Sequence, residues 1–231
     1  EALESGRTIE KVVISNKSKQ GSMKKIIGMA KDKGIKVQYV DKGKLDKMAK
    51  TNSHQGVIAF VAAHNYKSID YIINRAKEKG ESPFILILDE IEDPHNLGAI
   101  MRTAECAGAH GIIIPKRRAV GLTPTVAKTS AGAIEYMPVA KVTNIARTID
   151  ELKDKGLWIY GADVDGDDFY FNKDLKGSIG IVVGNEGKGI SRLVKEKCDF
   201  LVKIPMKGQV SSLNASVATS IITYEIVRQR G

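Results

Sequence analysis

Two cysteines in 231 residues, Cys106 and Cys198, are too few for a disulfide framework or a cysteine-built zinc site. A reducing cytoplasm is therefore the expected compartment. The four histidines, His54, His64, His95 and His110, are scattered without metal-ligand spacing, so no metal is expected and most read as surface or loop residues. No apolar run approaches the roughly 18–20 residues that a membrane span needs, and no membrane partner is expected. A charged start followed by an apolar segment is also missing, so no signal peptide is visible. The chain starts at Glu1 and not at methionine, and a preceding segment is expected. What is present is globular: 42% hydrophobic and 27% charged residues are enough for one large domain or two modest ones.

Charge is unevenly placed. Of the +9 net charge, all resides in the first third: residues 1–80 hold 17 basic and 8 acidic side chains, and residues 81–231 hold 19 of each. Such an excess is either an electrostatic footprint for a polyanion such as nucleic acid or a solvated lysine surface, and charge alone favours neither.

The first third reads as a small α/β unit. Residues 11–15 form a β-prone run. From Ser22 a helix places Met23, Ile26, Ile27 and Ala30 on one face and Lys24, Lys25, Lys31 and Lys33 outside. A strand over 35–40, a lysine-rich helix around 45–49, a turn at His54-Gln55-Gly56 and a strand over 57–63 follow. This gives a basic domain over residues 1–63, a candidate RNA-binding domain on the polyanion reading of its charge, a linker and opening helix over 64–80, and a second domain over 81–231. From Pro83 onward, strands near 84–88, 111–114, 138–142, 157–162, 179–183 and 200–204 alternate with helices. That alternation predicts an α/β fold, a mostly parallel sheet covered by helices on both faces. Ligands of such sheets sit at the carboxyl ends of the strands, which directs attention to the loops there.

Three loops are rich in chemistry. Residues 88–98 run through Asp93-Pro94-His95-Asn96-Leu97-Gly98 into a helix carrying Arg102, with Asn96 placed as a possible N-cap. Gly184-Asn185-Glu186-Gly187-Lys188-Gly189 follows the strand at 179–183. Its spacing is neither a dinucleotide fingerprint nor a P-loop. Glu186 has a plainer alternative, a carboxylate satisfying the backbone donors of a helix start. Ile204-Pro205-Met206 to Ser211-Ser212-Leu213-Asn214 delivers small polar residues to the N-terminus of the last helix, whose backbone N–H groups are free. Cys106 reads as a packing residue on an apolar helix face. The acidic run Asp163, Asp165, Asp167 and Asp168 lacks the register of a calcium loop and reads as a solvated turn.

Together, Asn-Leu-Gly-x-x-x-Arg-Thr, Gly-x-Glu-Gly-x-Gly and Ile-Pro-Met…Ser-Leu-Asn-x-Ser-x-Ala resemble the three motifs of the SpoU (TrmH-like) RNA ribose 2′-O-methyltransferases of the SPOUT superfamily. The resemblance covers roughly residues 83–231. It implies a C-terminal trefoil knot, which periodicity could not reveal, and S-adenosylmethionine as methyl donor. Gly184, Gly187, Ile204, Met206 and Leu213 would hold that donor. Arg102, Asn96, Glu186, Ser212 and Asn214 would carry the chemistry, and a homodimer is implied. The small basic domain resembles that of the subgroup methylating a guanosine of large-subunit ribosomal RNA, with its start truncated. A transfer-RNA methyltransferase and a non-catalytic RNA-binding protein on the same fold stand as alternatives.

Overall fold

The computed structural model describes residues 9–16, 21–49, 54–61 and 65–231, with Gly21 and Ser22 described by their backbone. His64, the end of the strand expected over 57–63, and the start of the expected linker lie outside the described residues. The chain divides into two compact units, Glu1–Asn65 with Leu122–Pro124, and Tyr66–Gly121 with Thr125–Gly231.

In the first unit, strand β1 (Ile9–Ser15) is flanked by β2 (Lys36–Val40), parallel to it, and β3 (Val57–Val61), antiparallel. Alternation along β1 serves two faces. Val12 and Ile14 pack with Met23 and Ala30 of helix α1 (Gly21–Asp32), and Val13 packs with Val40 and Leu45 of helix α2 (Lys42–Met48). Burial of that face leaves Lys24, Lys25 and Lys31 of α1 exposed, with exposed Lys33 one residue past its end. At the turn before β3, His54 Nδ1 accepts from Gly56 N at 3.1 Å, so Nε2 carries the proton and donates to Asp46 of α2 at 2.7 Å.

The second unit is a seven-stranded sheet in the order β6-β5-β4-β9-β7-β10-β8, with every pairing parallel. Its strands are β4 (Phe84–Leu88), β5 (Gly111–Pro115), β6 (Val139–Val142), β7 (Trp158–Ala162), β8 (Asp168–Phe169), β9 (Ile179–Val183) and β10 (Phe200–Lys203). All five residues of β4 and of β9 are buried, as expected of central strands covered on both faces. On one face, Ile85 and Ile87 pack with Ile72 and Ile73 of α3 (Ile69–Glu78), Ile149 and Leu152 of α6 (Ile145–Asp154), and Val194 of the one-turn α7 (Arg192–Lys195). Two further helices, α4 (Pro94–Cys106) and α8 (Ala215–Arg230), pack against each other, with Thr103 Oγ1 and Ser220 Oγ 2.9 Å apart. Short α5 (Pro124–Thr129) crosses the first turn of α4, where Thr129 Oγ1 donates to the carbonyl of Pro94 at 3.1 Å. Gly98 permits that crossing: a Cβ there would fall 2.9 Å from the Thr129 carbonyl carbon and closer still to its side chain. The Gly of the Asn-Leu-Gly motif is therefore a packing residue.

Three readings need correction. Helix α4 begins earlier than expected, capped by Asp93, whose side chain accepts from His95 N at 2.9 Å, with Pro94 at the first helical position. Asn96 is inside the helix, buried, and is not a cap. Cys106 ends α4 exposed, because its position faces away from the core. His110 is 1% exposed: Nδ1 accepts from Phe84 N at 3.0 Å, so Nε2–H points at Glu81, 3.0 Å away. Burial holds its pKa below the usual histidine value, against the raising pull of Glu81.

Candidate active site

Strand order reverses around β4 and β9, and the carboxyl ends of β4, β9, β7 and β10 bring four loops together. A pocket of about 310 Å³ opens among the last three of these loops, within the range of small-molecule sites. Gly184, Gly187, Ile204, Met206 and Leu213, the five residues expected to hold the donor, all line it, as do Glu186 and Ser212. Val183 and Val202 add buried apolar wall.

The loop after β9 is shaped by its own hydrogen bonds. Asn185 N and Gly189 N donate to each other's carbonyls, and Asn185 Oδ1 accepts from Gly187 N at 3.0 Å and Lys188 N at 3.3 Å. Asn185 Nδ2 donates to the Glu90 carbonyl at 3.2 Å, and buried Asp89, just past β4, accepts from Ser191 N at 2.8 Å. Gly184 must lack a side chain for a reason internal to this loop. A Cβ there would collide with the backbone of Gly189 and Ile190, which folds back over it.

Beside the pocket, one carboxylate oxygen joins all three motifs. Glu186 Oε1 accepts from Asn96 Nδ2 at 2.7 Å, from Asn214 Nδ2, and from the backbone N of Ala215 at 3.2 Å. Asn214 also donates to Asn96 Oδ1 at 3.0 Å, while its own Oδ1 caps α8 through Ser216 N at 2.9 Å and Val217 N at 3.3 Å. The helix-start reading of Glu186 therefore holds for its bond from Ala215 N; the other two bonds come from the side chains of Asn96 and Asn214. Glu186 Oε2 has no hydrogen-bond partner among the described residues. Arg102 stands apart. Asn96 and Thr103, seven residues apart, share the face of α4 that meets α8, and Arg102 projects about 120° away from Asn96 around the helix. It is exposed, makes no side-chain hydrogen bond or ion pair among the described residues, and does not line the pocket.

The acidic run is more than a solvated turn. Asp163 and Asp165 line the pocket, and Asp163 pairs with Lys195 at 2.7 Å. The signal that could have found it is positional: Asp163 is the first residue past the carboxyl end of β7. Sequence reasoning also misses Asp89, Asn185, Lys188 and Lys195. Of these, Asp89 carries the same signal, one residue past β4.

Comparison with known proteins gives the family. The model of the SpoU rRNA methylase family matches residues 83–224. This chain belongs to the SpoU methylase family. A second model, of RNA 2′-O ribose methyltransferase substrate binding, matches residues 1–67 of this SpoU methylase. YacO of Bacillus subtilis, named a TrmH family tRNA/rRNA methyltransferase, is 54% identical over 230 residues, covering 100% of this chain and 92% of that protein. A relative of the same family name from Staphylococcus aureus is 51% identical, with the same coverage. Among solved structures, the SpoU methyltransferase AviRb of Streptomyces viridochromogenes in complex with AdoMet aligns with a TM-score of 0.66 at 26% identity, over 99% of this chain and 86% of that one. The A. aeolicus TrmH/SpoU tRNA modifying enzyme aligns with a TM-score of 0.59 at 29% identity, over 69% of this chain and 84% of that one.

The protein is thus an S-adenosylmethionine-dependent RNA methyltransferase of the TrmH/SpoU type. The pocket fits such a donor, with apolar walls at Val183, Val202, Ile204 and Leu213 beside the polar backbone of 184–189. Bound there, S-adenosylmethionine supplies an activated methyl group. Among the described residues, no cluster of His, Cys, Asp or Glu is placed to hold a metal ion, and no helix is long and apolar enough to cross a membrane.

Proposed function

We propose that this SpoU methylase methylates the 2′-hydroxyl of a ribose, a guanosine of large-subunit ribosomal RNA, in the cytoplasm and as a homodimer. The observation that carries this reading is the Glu186 junction, which joins residues 96, 186 and 214 beside one pocket. That is an arrangement for alignment, and fixing two reactants in line is worth up to about 7–11 kcal/mol. Glu186 Oε2 is free to accept a hydrogen bond from the ribose hydroxyl, with Asn96 and Asn214 holding the carboxylate and Ser212 at the pocket wall. The family resemblance also implies a trefoil knot, the last strand–loop–helix passing through a preceding loop; the placement of β10 between β7 and β8 supports that threading.

A guanidinium is a poor base, so the part of Arg102 is to stabilise the developing alkoxide and clamp a phosphate rather than to take the proton. Its position outside its own chain's pocket supports action on the partner's site. An apolar stripe on α8, Val217 and Tyr224 exposed with Ile221 half-buried between them, offers a face for a second copy. A mixed dimer tests this. Pairing an Arg102→Ala chain with a Glu186→Gln chain leaves one complete site only if the partner's Arg102 serves the pocket, and then recovers up to half the activity per dimer. An inactive mixture, with subunit exchange verified, places the arginine in its own chain's site. Substrate identity is tested with labelled S-adenosylmethionine and separated ribosomal and transfer RNA, followed by mapping of the modified ribose. Label in transfer RNA alone would replace the ribosomal assignment, and absence of label in both would support a non-catalytic role.

A further inference from the structure

Asp163 stands in the donor pocket as a fixed carboxylate, 5% exposed. Lys195 holds Oδ2 at 2.7 Å, and the backbone N of Asp165 donates to Oδ1 at 3.0 Å. Gly166 lets the same turn lie against β10, where a Cβ would stand 2.7 Å from the carbonyl carbon of Val202. A carboxylate offers about four acceptor positions, so each oxygen keeps capacity after these bonds. The wall around it is apolar, from Ala162, Val183, Val202 and Ile204. A cation gains little at this point, because the Lys195 ammonium offsets the field of the carboxylate. Neutral N–H and O–H donors gain most.

We propose that Asp163 is a donor-specificity residue: its carboxylate accepts a hydrogen bond from the adenosine half of the methyl donor, and Lys195 is the positioning residue that holds it. This rests on the reading of the cavity as the donor pocket. The adenosine half presents neutral donors, two ribose hydroxyls and an exocyclic amine, whereas the amino-acid half presents an ammonium that Lys195 repels.

Calorimetric titration with S-adenosylhomocysteine and with 5′-methylthioadenosine, which lacks the amino-acid portion, separates these halves. Asp163→Asn weakens both ligands equally, on the order of tenfold or more, as expected for loss of a charge-assisted hydrogen bond. Lys195→Gln weakens them less, because Asp165 N still fixes the carboxylate. Wild-type affinity in Asp163→Asn overturns the proposal. So does a loss confined to S-adenosylhomocysteine, which would put the carboxylate on the ammonium, or an equal loss in the two variants, which would make the pair a structural clip. A wild-type protein that binds neither ligand overturns the pocket reading itself. Thermal unfolding checks that Asp163→Asn is folded. If it is not, the double variant Asp163→Ser, Lys195→Gln removes both charges together and leaves no unpaired ammonium. Affinity below that of Lys195→Gln alone then supports the proposal, and equal affinity overturns it.

Discussion

Lys24, Lys25 and Lys31 of the first unit stand exposed along one helix, with no partner fixing any of them among the described residues. Glu186 of the second unit has one oxygen held by three donors from two other motifs. The first arrangement accumulates charge of one sign, and polyanion binding by such a face is additive, redundant and screened by salt. The second depends on geometry, so a single substitution is expected to break it and salt to leave it nearly unchanged. An enzyme that must find a long polyanion and then place one hydroxyl needs both.

The largest effect should come from breaking the geometry. Glu186→Gln keeps the shape and an acceptor for Ala215 N but removes the charge, and single-turnover RNA methylation should fall about 10²-fold or more. Raising salt should not reproduce that loss in the wild type at saturating RNA. A wild-type rate would remove Glu186 from the chemistry. Gly98→Ala attacks the helix that brings Asn96 to Glu186, by forcing α4 away from Thr129. Overpacking of this kind costs about 1–3 kcal/mol, read as a lowered urea midpoint with the m-value unchanged. An unshifted midpoint would show that the crossing of α4 and α5 relaxes freely.

Smaller and graded changes should follow from the lysines. Replacing Lys24, Lys25, Lys31 and Lys33 with Gln should flatten the log–log salt dependence of RNA binding by roughly 0.7–0.9 for each phosphate that no longer meets a lysine. Donor affinity and the rate at saturating RNA should stay as they are. An unchanged slope would make these lysines a solvated surface.

The mildest effect concerns His110 and appears only in acid. Its pKa is lowered in the folded protein, so the unfolded chain takes up the proton first. Stability is therefore retained above about pH 6.5, the ordinary histidine value, and falls as pH drops below it, at no more than about 1.4 kcal/mol per pH unit for this group. Protonated Nδ1 can no longer accept from Phe84 N, which gives the same sign. Urea unfolding between pH 8 and pH 5, compared with His110→Asn, should show the wild-type dependence diminished in the variant. Equal slopes would assign the acid sensitivity elsewhere.

Much of the second unit is legible because its signals are local. Five consecutive apolar residues at 84–88 and at 179–183 mark buried strands, and Asn144 before an amphipathic run marks the start of α6, where its side chain accepts from Arg147 N at 3.0 Å. The two-residue β8 and the four-residue α7 carry too little periodicity to be seen. Asn96 is easily misread because Asn-Leu-Gly resembles a capping sequence, while Asp93, three residues earlier and followed by Pro94, is the stronger start.

The sequence by itself determined the α/β class and the basic first third, since apolar runs and charge are properties of neighbouring residues, and its resemblance to the family singled out five residues that line the pocket. Only the tertiary structure decided what those residues do to one another. Asn96 and Glu186 are 90 positions apart and meet because β4 and β9 pair in parallel with Leu88 opposite Val183. Gly184 is glycine because its own loop folds back on it, and Asp163 leaves solvent because Lys195 of α7 closes over it. Arg102 is turned out of its own pocket because the face of α4 that carries Asn96 and Thr103 is spent on α8. Parallel register and helix packing join residues that share no local pattern, so these outcomes exist only once the chain is folded.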